Sequence, residues 1–581
     1  MANKGFNYKE IDMKIKLQNV FLLMTLTLIY HTDLNTFGKK TIFAIRSQGL
    51  SGVRELCGWQ KCMFKYDQNR NYGTVAATIQ YDRSFRPKQI ADFLFGGESM
   101  RFSGSMADRQ PGDILADYFG LPPSFSSKVH VSPRISDVVV DFNLFQAFDA
   151  KVPGLFIMFH VPIVHTKWNL NMKEAAINPG NAFYPAGYMS EEQINASTLP
   201  QSVTQALQGR VTFGDMQDPL QYGKVMGRQE SNRVAEVQGT IGYNYNKAWY
   251  HAGVSFRFGA PTGTITNAEF LFEDIVGNRH HWDVGFGLSG HVNMWENKQA
   301  GKCFAAYVDA RISHLCTSKQ KRSFDFKKNG PGSRYILLEQ FDSPSQNLRI
   351  EGQIPENQYI GKLVPAINQT TFNTKLSIGV QADIVLKLAY QQDNFELDLG
   401  YNFWGISKEK MHWRDALVSD RFALKGDAQI YGFSSTDDAV VIPLNATQSQ
   451  STLFGGQGDG NSNFQNLNAD NQPAAATLLD GTVLHQLNAQ NSADLRIAQV
   501  QVQGSNPAIL LQDSDINNDS GILPRAISNK AFIFFNYVWN NRDDWDPYVG
   551  FGISAELANT NPDHNSADSQ WAVWLKTGLA Y

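Results

Sequence analysis

Long runs of alternating apolar and polar residues recur along the chain and constrain its fold more than any other feature. The longest run, residues 376–390, places apolar side chains at every second position, among them Ile378, Ile384 and Leu386. Successive side chains of a strand point to opposite faces, so this run predicts a strand with one apolar and one polar face. Many of the runs exceed the modal strand length of about five or six residues. Long strands of this kind favour a tall barrel over a sandwich.

About thirteen such runs occur, and the links between them are of two kinds. The runs lie near 74–85, 137–146, 154–167, 234–245, 250–258, 282–294, 304–313, 376–390, 394–404, 421–432, 530–539, 548–557 and 570–581. As far as residue 393, long links alternate with short ones. Such strict alternation predicts a barrel with long loops at one end and tight turns at the other.

The alternation breaks in the last third of the chain. The links 405–420 and 433–529 would both belong to the loop end, which consecutive links cannot do. One strand is therefore missing between 405 and 529, which raises the total to fourteen, and "RIAQVQVQ" (Arg496–Gln503) is the candidate. Residues 434–529 are rich in Asn, Gln, Ser, Asp and Gly and predict a solvated external loop.

Three further long loops are predicted near 86–136, 168–233 and 315–374. The second and third hold enough apolar residues to fold inward over the lumen.

The N-terminal residues 1–38 have the character of a secretory signal. "NVFLLMTLTLIY" (Asn19–Tyr30) follows Lys14 and Lys16 and is too short to span a bilayer. Met13 stands where such a signal begins, which leaves residues 1–12 as an upstream extension of the reading frame. The next segment, 39–72, is either a periplasmic segment or a plug of the lumen, and the sequence leaves both open.

The four cysteines form two pairs along the chain. In an exported protein, Cys57 and Cys62 of "CGWQKC" most simply form a small structural disulfide. Cys303 and Cys316 bracket one predicted strand, which at roughly 3.3 Å per residue holds them about 40 Å apart. A disulfide requires Cα atoms within about 7 Å, so these two residues cannot pair with each other.

No metal site, cofactor site or catalytic motif is predicted. His280 and His281 are adjacent and would point to opposite faces of a strand. "DSDINNDSG" has Asn518 where a calcium loop requires Gly. The chain contains no G-x-S-x-G elbow and no Walker-type phosphate loop, so we expect a protein that is not an enzyme.

The overall composition argues against one class of partner and one class of membrane protein. A formal net charge of -4 without any block of like charge argues against nucleic acid. The mean hydropathy of -0.32 argues against a bundle of transmembrane helices.

With these features, the sequence resembles Gram-negative-type outer-membrane β-barrel proteins of the porin-like kind. The resemblance is carried by the signal-like segment, the repeated two-faced strands and the closing "GLAY". Family members commonly end on an aromatic residue with a hydrophobic residue two positions before it, as Tyr581 and Leu579 do. Lys576 departs from the family pattern, because a glycine is usual at its position.

The resemblance implies an all-β fold, a transmembrane antiparallel β-barrel of about fourteen strands over residues 73–581. It also implies an outer-membrane localisation, contact with the lipid bilayer and lipopolysaccharide, and assembly machinery that reads the C-terminal strand. It leaves a homo-oligomer open.

The polar faces of the strands would line the lumen of such a barrel. The charged members of these faces are Asp82, Asp141, Glu236, Arg257, Asp283, Asp309, Arg311, Asp383, Lys387, Glu396, Asp398, Lys425, Asp427, Glu556 and Lys576. Acidic residues outnumber basic ones about two to one, and acidic rings favour cations. The sequence therefore predicts a porin-like channel for passive diffusion of small polar or cationic solutes.

Two alternatives remain open. The charges pair across strands and only stabilise the wall, or the barrel anchors a surface adhesin or structural protein whose long loops bind a partner.

Overall fold

The computed structural model describes residues 39–58, 63–65, 70–342, 359–428, 430–433, 441–443, 447–455, 508–539 and 545–581. All of them belong to one compact unit, Phe37–Tyr581. The predicted signal segment 1–38, Cys62 and the candidate strand 496–503 lie outside the described residues, and the expectations for them remain predictions.

Fourteen strands form one antiparallel sheet. They are β1 Tyr72–Ser84, β2 Arg134–Ala147, β3 Leu155–Asn169, β4 Arg228–Val234, β5 Glu236–Asn246, β6 Tyr250–Pro261, β7 Asp283–Asn297, β8 Lys302–Ser323, β9 Thr371–Gln392, β10 Phe395–Ile406, β11 Glu409–Arg414, β12 Ala526–Val538, β13 Asp546–Leu557 and β14 Gln570–Ala580. Twelve of the thirteen predicted runs coincide with strands of this sheet, and the exception is 421–432.

Twelve of these strands close into a ring, in which each strand pairs with the ring strands next to it in the chain. Closure is made by β1 and β14, with Ile79 opposite Leu575. The other two strands lie outside the ring: β4 pairs with β3, and β11 pairs with β9. The predicted fold class, an antiparallel β-barrel of about fourteen strands, is confirmed.

Strand β11 falls in the interval 405–529, but it is not the further ring strand that the sequence argument requires, because β10 and β12 pair directly with each other. It continues β10 after a short interruption, and both pair with β9 at successive positions. The closed ring therefore has twelve strands where the sequence predicted about fourteen, and two more strands extend beside it.

The outer face of the ring is apolar around its whole circumference. Each ring strand contributes exposed apolar side chains, represented by Ile79, Phe142, Ile163, Ile241, Val254, Phe286, Ile312, Leu386, Leu399, Phe535, Phe551 and Leu575. Phe286 is 69% exposed. A closed ring with such an exterior leaves no backbone edge unpaired and presents a surface that fits lipid, as a membrane-spanning barrel requires.

Exposed aromatic residues collect where the short turns lie, an end of the barrel that we call the turn end. They are Tyr245, Trp249, Trp295, Phe395, Trp539, Trp545 and Tyr581. Aromatic rings of this kind are enriched where a bilayer meets water. Tyr581 lies in this rim, and its hydroxyl donates to Gln146 Oε1 at 2.8 Å.

The long links at the opposite end, which we call the loop end, fold into a packed cap. Helix α2 (Pro87–Phe95) begins with proline in its first turn and ends at Gly96, whose φ of 74° suits glycine. Helices α3 (Val203–Ala206) and α4 (Ala366–Gln369) and several short strands complete the described part of the cap. Its apolar residues are buried together, including Phe93, Phe125 and Trp168.

None of the helices in the described part of the chain has the length and apolar character needed to cross a bilayer.

Candidate functional site: a plugged lumen

Thirteen of the fifteen predicted lumen residues lie on ring strands and face inward. They are Asp82, Asp141, Glu236, Arg257, Asp283, Asp309, Arg311, Asp383, Lys387, Glu396, Asp398, Glu556 and Lys576. All are buried except Asp309 and Arg311, which are partly exposed. Alternation along each strand was sufficient to place them, because a strand that exposes one face to lipid must turn the other inward.

Lys425 and Asp427 are not on the barrel wall. The short strand Phe422–Leu424 pairs with the strand Leu337–Phe341 inside the cap, and Lys425 directly follows it. The Lys425 ammonium donates to the Ala428 carbonyl at 2.8 Å. The prediction of a ring strand over 421–432 is wrong, since a buried strand in a cap has the same short-range alternation as a strand in a membrane.

Residues 39–58 pass through the lumen, and we call this segment the plug. Near the loop end, Thr41 N–H donates to the Ser520 carbonyl at 3.1 Å. Farther along, the plug forms helix α1, Gly52–Leu56, with the Ser51 hydroxyl accepting from Arg54 N–H. Of the two positions left open for the N-terminal segment, residues 39–58 occupy the lumen.

The two arginines of the plug contact carboxylates on different sides of the wall. Arg54 Nε lies 2.5 Å from Asp141 Oδ2, and both side chains are almost fully buried. Arg46 Nη2 lies 2.9 Å from Asp383 Oδ2. Its Nη1 lies 3.7 Å from Glu556 Oε1. Because β2, β9 and β13 are separated around the ring, these pairs hold the plug at several points.

At Glu55 the charges are reversed, because here the plug provides the carboxylate and the wall provides the basic side chains. Glu55 Oε1 accepts from Arg311 Nη1 at 2.6 Å. Arg257 and His160 each lie 3.7 Å from the same oxygen. Two arginines and one histidine of the wall therefore surround the acidic residue of α1.

Both ends of α1 meet complementary charge on the wall. At its start, Gly52 N–H donates to Asp383 Oδ2 at 2.9 Å. At its end, Lys576 Nζ donates to the carbonyls of Arg54, Glu55 and Cys57 at 2.9, 3.2 and 2.7 Å. A helix favours an anion near its first turn and a cation near its last, so both contacts match its dipole.

Some wall charges pair with each other, as the alternative interpretation of the sequence requires. Lys387 lies 3.2 Å from Asp398, and Lys530 lies 2.8 Å from Glu556. The lumen therefore contains pairs within the wall as well as pairs between the wall and the plug.

Cys57 is fully buried at the end of α1. Cys62 lies outside the described residues, so the disulfide between them stays a prediction. Cys303 and Cys316 both lie on β8.

Two cavities lie between the plug and the wall and share Arg257 and Arg311 as lining residues. The larger has an empty volume of about 590 Å³ and is also lined by Phe64, Asn244 and Ser289. The smaller, about 250 Å³, is bounded by Leu50 of the plug. The plug therefore does not fill the lumen completely on the side of β6, β7 and β8.

The cap encloses a third cavity whose lining is wholly apolar apart from one tyrosine ring. Its lining residues are Phe95, Met100, Phe102, Ile114, Phe119, Val129, Val131, Met172, Leu207, Val225, Leu271 and Tyr335. The empty volume is about 410 Å³, and the space is narrow, because the centre of a water molecule fits into only about 20 Å³ of it. A cavity with such a lining tends to stay dry.

The closed ring, its apolar exterior and its charged interior together identify the class of protein. It is an outer-membrane β-barrel protein.

No protein-family model matches this outer-membrane barrel, and no curated protein matches it. Three solved structures show a partial likeness. An outer membrane channel from Pseudomonas putida F1 has 8% identity and a TM-score of 0.32, covering 88% of this chain and 96% of that chain. The translocator domain of the autotransporter NalP from Neisseria meningitidis has 6% identity and a TM-score of 0.25, covering 89% of each chain. The Pseudomonas putida toluene transporter TodX has 7% identity and a TM-score of 0.27, covering 94% and 98%.

The plug contacts of this outer-membrane barrel were not predicted from the sequence. Arg46, Arg54 and Glu55 have partners that lie far away in the chain, and only the Ser51 cap of α1 has a local signal. His160 of β3 contacts the wall carboxylate that binds Arg54, because its Nε2 lies 2.6 Å from Asp141 Oδ1. His165 has the opposite parity on the same strand and contacts Asn232 instead.

Proposed function

We propose that the protein is an outer-membrane channel closed by its own N-terminal plug, and that it admits small apolar solutes. The observation that carries the proposal is the apolar cavity in the cap, which lies above a lumen that is partly occupied by a charged segment.

The contacts that hold the plug are of a kind that water can replace. Arg46, Arg54 and Glu55 reach the wall through ion pairs, and each charge regains hydration when water enters the gap. Separating plug and wall therefore costs less than the number of contacts suggests. The ring strands, in contrast, are held by continuous backbone hydrogen bonds, and lipid offers no alternative partners for these backbone groups. In this proposal the plug is the part that moves when the channel opens.

A route for the solute follows one side of the plug. The cap cavity shares Leu271 with a neighbouring space that Ile42 and Phe43 of the plug also line. Below it, the two lumen cavities continue toward the turn end. Five inward positions of β6 and β7 along this side are small, namely Gly253, Ser255, Gly285, Gly287 and Ser289, whereas Arg257 and Asp283 are the charged residues between them and the loop end. Small side chains leave room between plug and wall for a passing molecule.

Diffusion of small polar or cationic solutes is a second candidate. It is favoured by the nine acidic and four basic side chains among the thirteen predicted lumen residues that lie on the ring, to which Lys530 adds one further cation. With the plug in place, Arg46 and Arg54 offset part of this acidic excess. Cation preference is therefore expected after the plug has left the lumen.

Planar-bilayer recording tests whether the plug closes the channel. We expect rare openings for the unaltered protein and frequent openings for Arg54→Met, which removes the bond to Asp141. Arg101→Met is the matched control, because Arg101 pairs with Asp113 in the cap. Reversal potential in a salt gradient then reports the ion preference of the open state. Absence of conductance in every variant would favour the adhesin or structural alternative.

Binding of a one-ring hydrocarbon, for which the narrow cap cavity has to widen, tests the solute class. Val225→Thr places a hydroxyl in the dry cavity without changing its shape, so we expect weaker binding. Val203→Thr is the matched control, because Val203 is buried in the same apolar cluster but does not line the cavity. Equal affinity for both variants would contradict the proposed solute class.

A further inference from the structure

Two histidines from neighbouring strands meet in the lumen near the turn end. His251 of β6 lies directly opposite His291 of β7 in the strand register. Their Nδ1 atoms are in hydrogen-bond contact with each other. Forty residues separate them in the chain, so no sequence motif reveals the pair.

The surroundings of the pair are aromatic. The Phe64 ring stacks on His251 with centroids 3.5 Å apart, and the Tyr307 ring stacks on His291 at 5.2 Å. Lys387 is the nearby cation, 4.6 Å from the centroid of the Tyr307 ring. Among the residues that the structure describes, no carboxylate is hydrogen-bonded to either imidazole. The two rings therefore offer nitrogen donors that no neighbouring acid occupies.

We propose that His251 and His291 bind one divalent transition-metal ion of the class that imidazole suits, such as Zn²⁺, Cu²⁺ or Ni²⁺. Two nitrogens that face each other across a strand pair can both approach such an ion to about 2.0–2.1 Å after a small rotation of the rings. This site is independent of the proposed function.

Water supplies the remaining coordination positions. The larger lumen cavity adjoins the pair through Phe64 and Ser289, and Ser289 Oγ lies 3.3 Å from His251 Nε2. Within the described ranges, no cluster of three or more His, Cys, Asp and Glu side chains is placed to hold an ion. The site therefore has two protein ligands and open positions, which makes the ion exchangeable.

Titration of the purified full-length protein with Zn²⁺ alone tests the site. We expect one bound ion per chain, and a loss of affinity of about tenfold or more in both His251→Gln and His291→Gln, because even supporting residues of metal sites contribute that much. His314→Gln is the matched control, since His314 lies on a neighbouring strand and its Nδ1 contacts the Gly379 carbonyl at 3.0 Å. Unchanged affinity in both variants would overturn the proposal.

A second measurement does not depend on the folding of the variants. The electron paramagnetic resonance spectrum of the unaltered protein with one equivalent of Cu²⁺ counts the ligating nitrogens directly. Two imidazole nitrogens are expected, and none or one would refute the site.

Discussion

Lys576 of the last strand donates its ammonium to the backbone carbonyl of Cys57 at 2.7 Å. Two more carbonyls of the plug, those of Arg54 and Glu55, accept from the same nitrogen. Lys576 is also the residue that departs from the family pattern of the terminal strand. The structure provides a physical reason for it, because the strand that closes the barrel also holds the end of the plug helix.

Lys576→Met is expected to loosen the plug. The change removes three hydrogen bonds from a charged donor, each worth about 1.5–3 kcal/mol, and leaves the carbonyls at the end of α1 without that partner. Openings in planar bilayers should become more frequent. Lys387→Met is the control, because Lys387 pairs with Asp398 inside the wall. Equal open probability in both variants would contradict a specific role of Lys576.

Gly52→Val is expected to displace the plug from the wall. A Cβ atom at this position would lie 2.8 Å from Val385 Cγ2 and 3.0 Å from Asp383 Oδ2, which is closer than ordinary packing allows. In the presence of a reductant that keeps the cysteines as thiols, chemical labelling of Cys57, which is buried in the unaltered protein, should become faster. Gly227→Val offers the comparison, since a Cβ there meets nothing within 4 Å. Faster labelling in both variants would show that the effect is not local.

The loop-end residue Asp568 is expected to make stability depend on pH. Burial raises the pKa of its carboxyl to about 8, above an unfolded value of about 3.9. Between these values the folded state holds a proton that the unfolded state has released, so stability falls as pH rises from about 4 to 8.

Asp568→Asn should remove this contribution, so its thermal unfolding midpoint should decline less than that of the unaltered protein between pH 5 and pH 8. Asp563→Asn on the same link is the control, because Asp563 is 42% exposed at the side chain. An identical pH profile for Asp568→Asn and the unaltered protein would refute the expectation.

Closure of the ring predicts heat-modifiable migration on gels. A closed barrel in mild detergent stays folded and migrates differently until it is boiled. Ile79→Pro removes a backbone donor from β1, which is paired on both sides with β2 and β14. The folded band should be lost at a lower temperature. Ile79→Val keeps the donor and should behave like the unaltered protein.

Much of the barrel could be predicted from local alternation. Twelve ring strands were located, and thirteen charged lumen residues were placed on the correct face, because strand parity depends only on neighbouring positions. The same rule failed at 421–432, where Phe422 and Leu424 are buried in the cap. Period-two alternation does not distinguish a core of protein from lipid.

The plug and the cavities could not be predicted in this way. Arg54 meets Asp141, and His251 meets His291, only because ring strands bring distant segments together. The segment 434–529 was expected to be a solvated loop, but some of its apolar residues are buried. Leu453 and Leu523 lie in the core of the cap. Such contacts join residues that are far apart in the chain, and no local pattern in a single sequence indicates which distant residues will meet.

By itself, the sequence determined a barrel with an apolar exterior and a charged interior, because alternation of side chains is a property of the strand. Only the tertiary structure decided that the lumen is occupied, since occupancy depends on which charges meet across the ring. Lys576 illustrates both points. Strand alternation alone predicts that its side chain faces inward, but only the tertiary structure brings the carbonyls at the end of α1 within its reach.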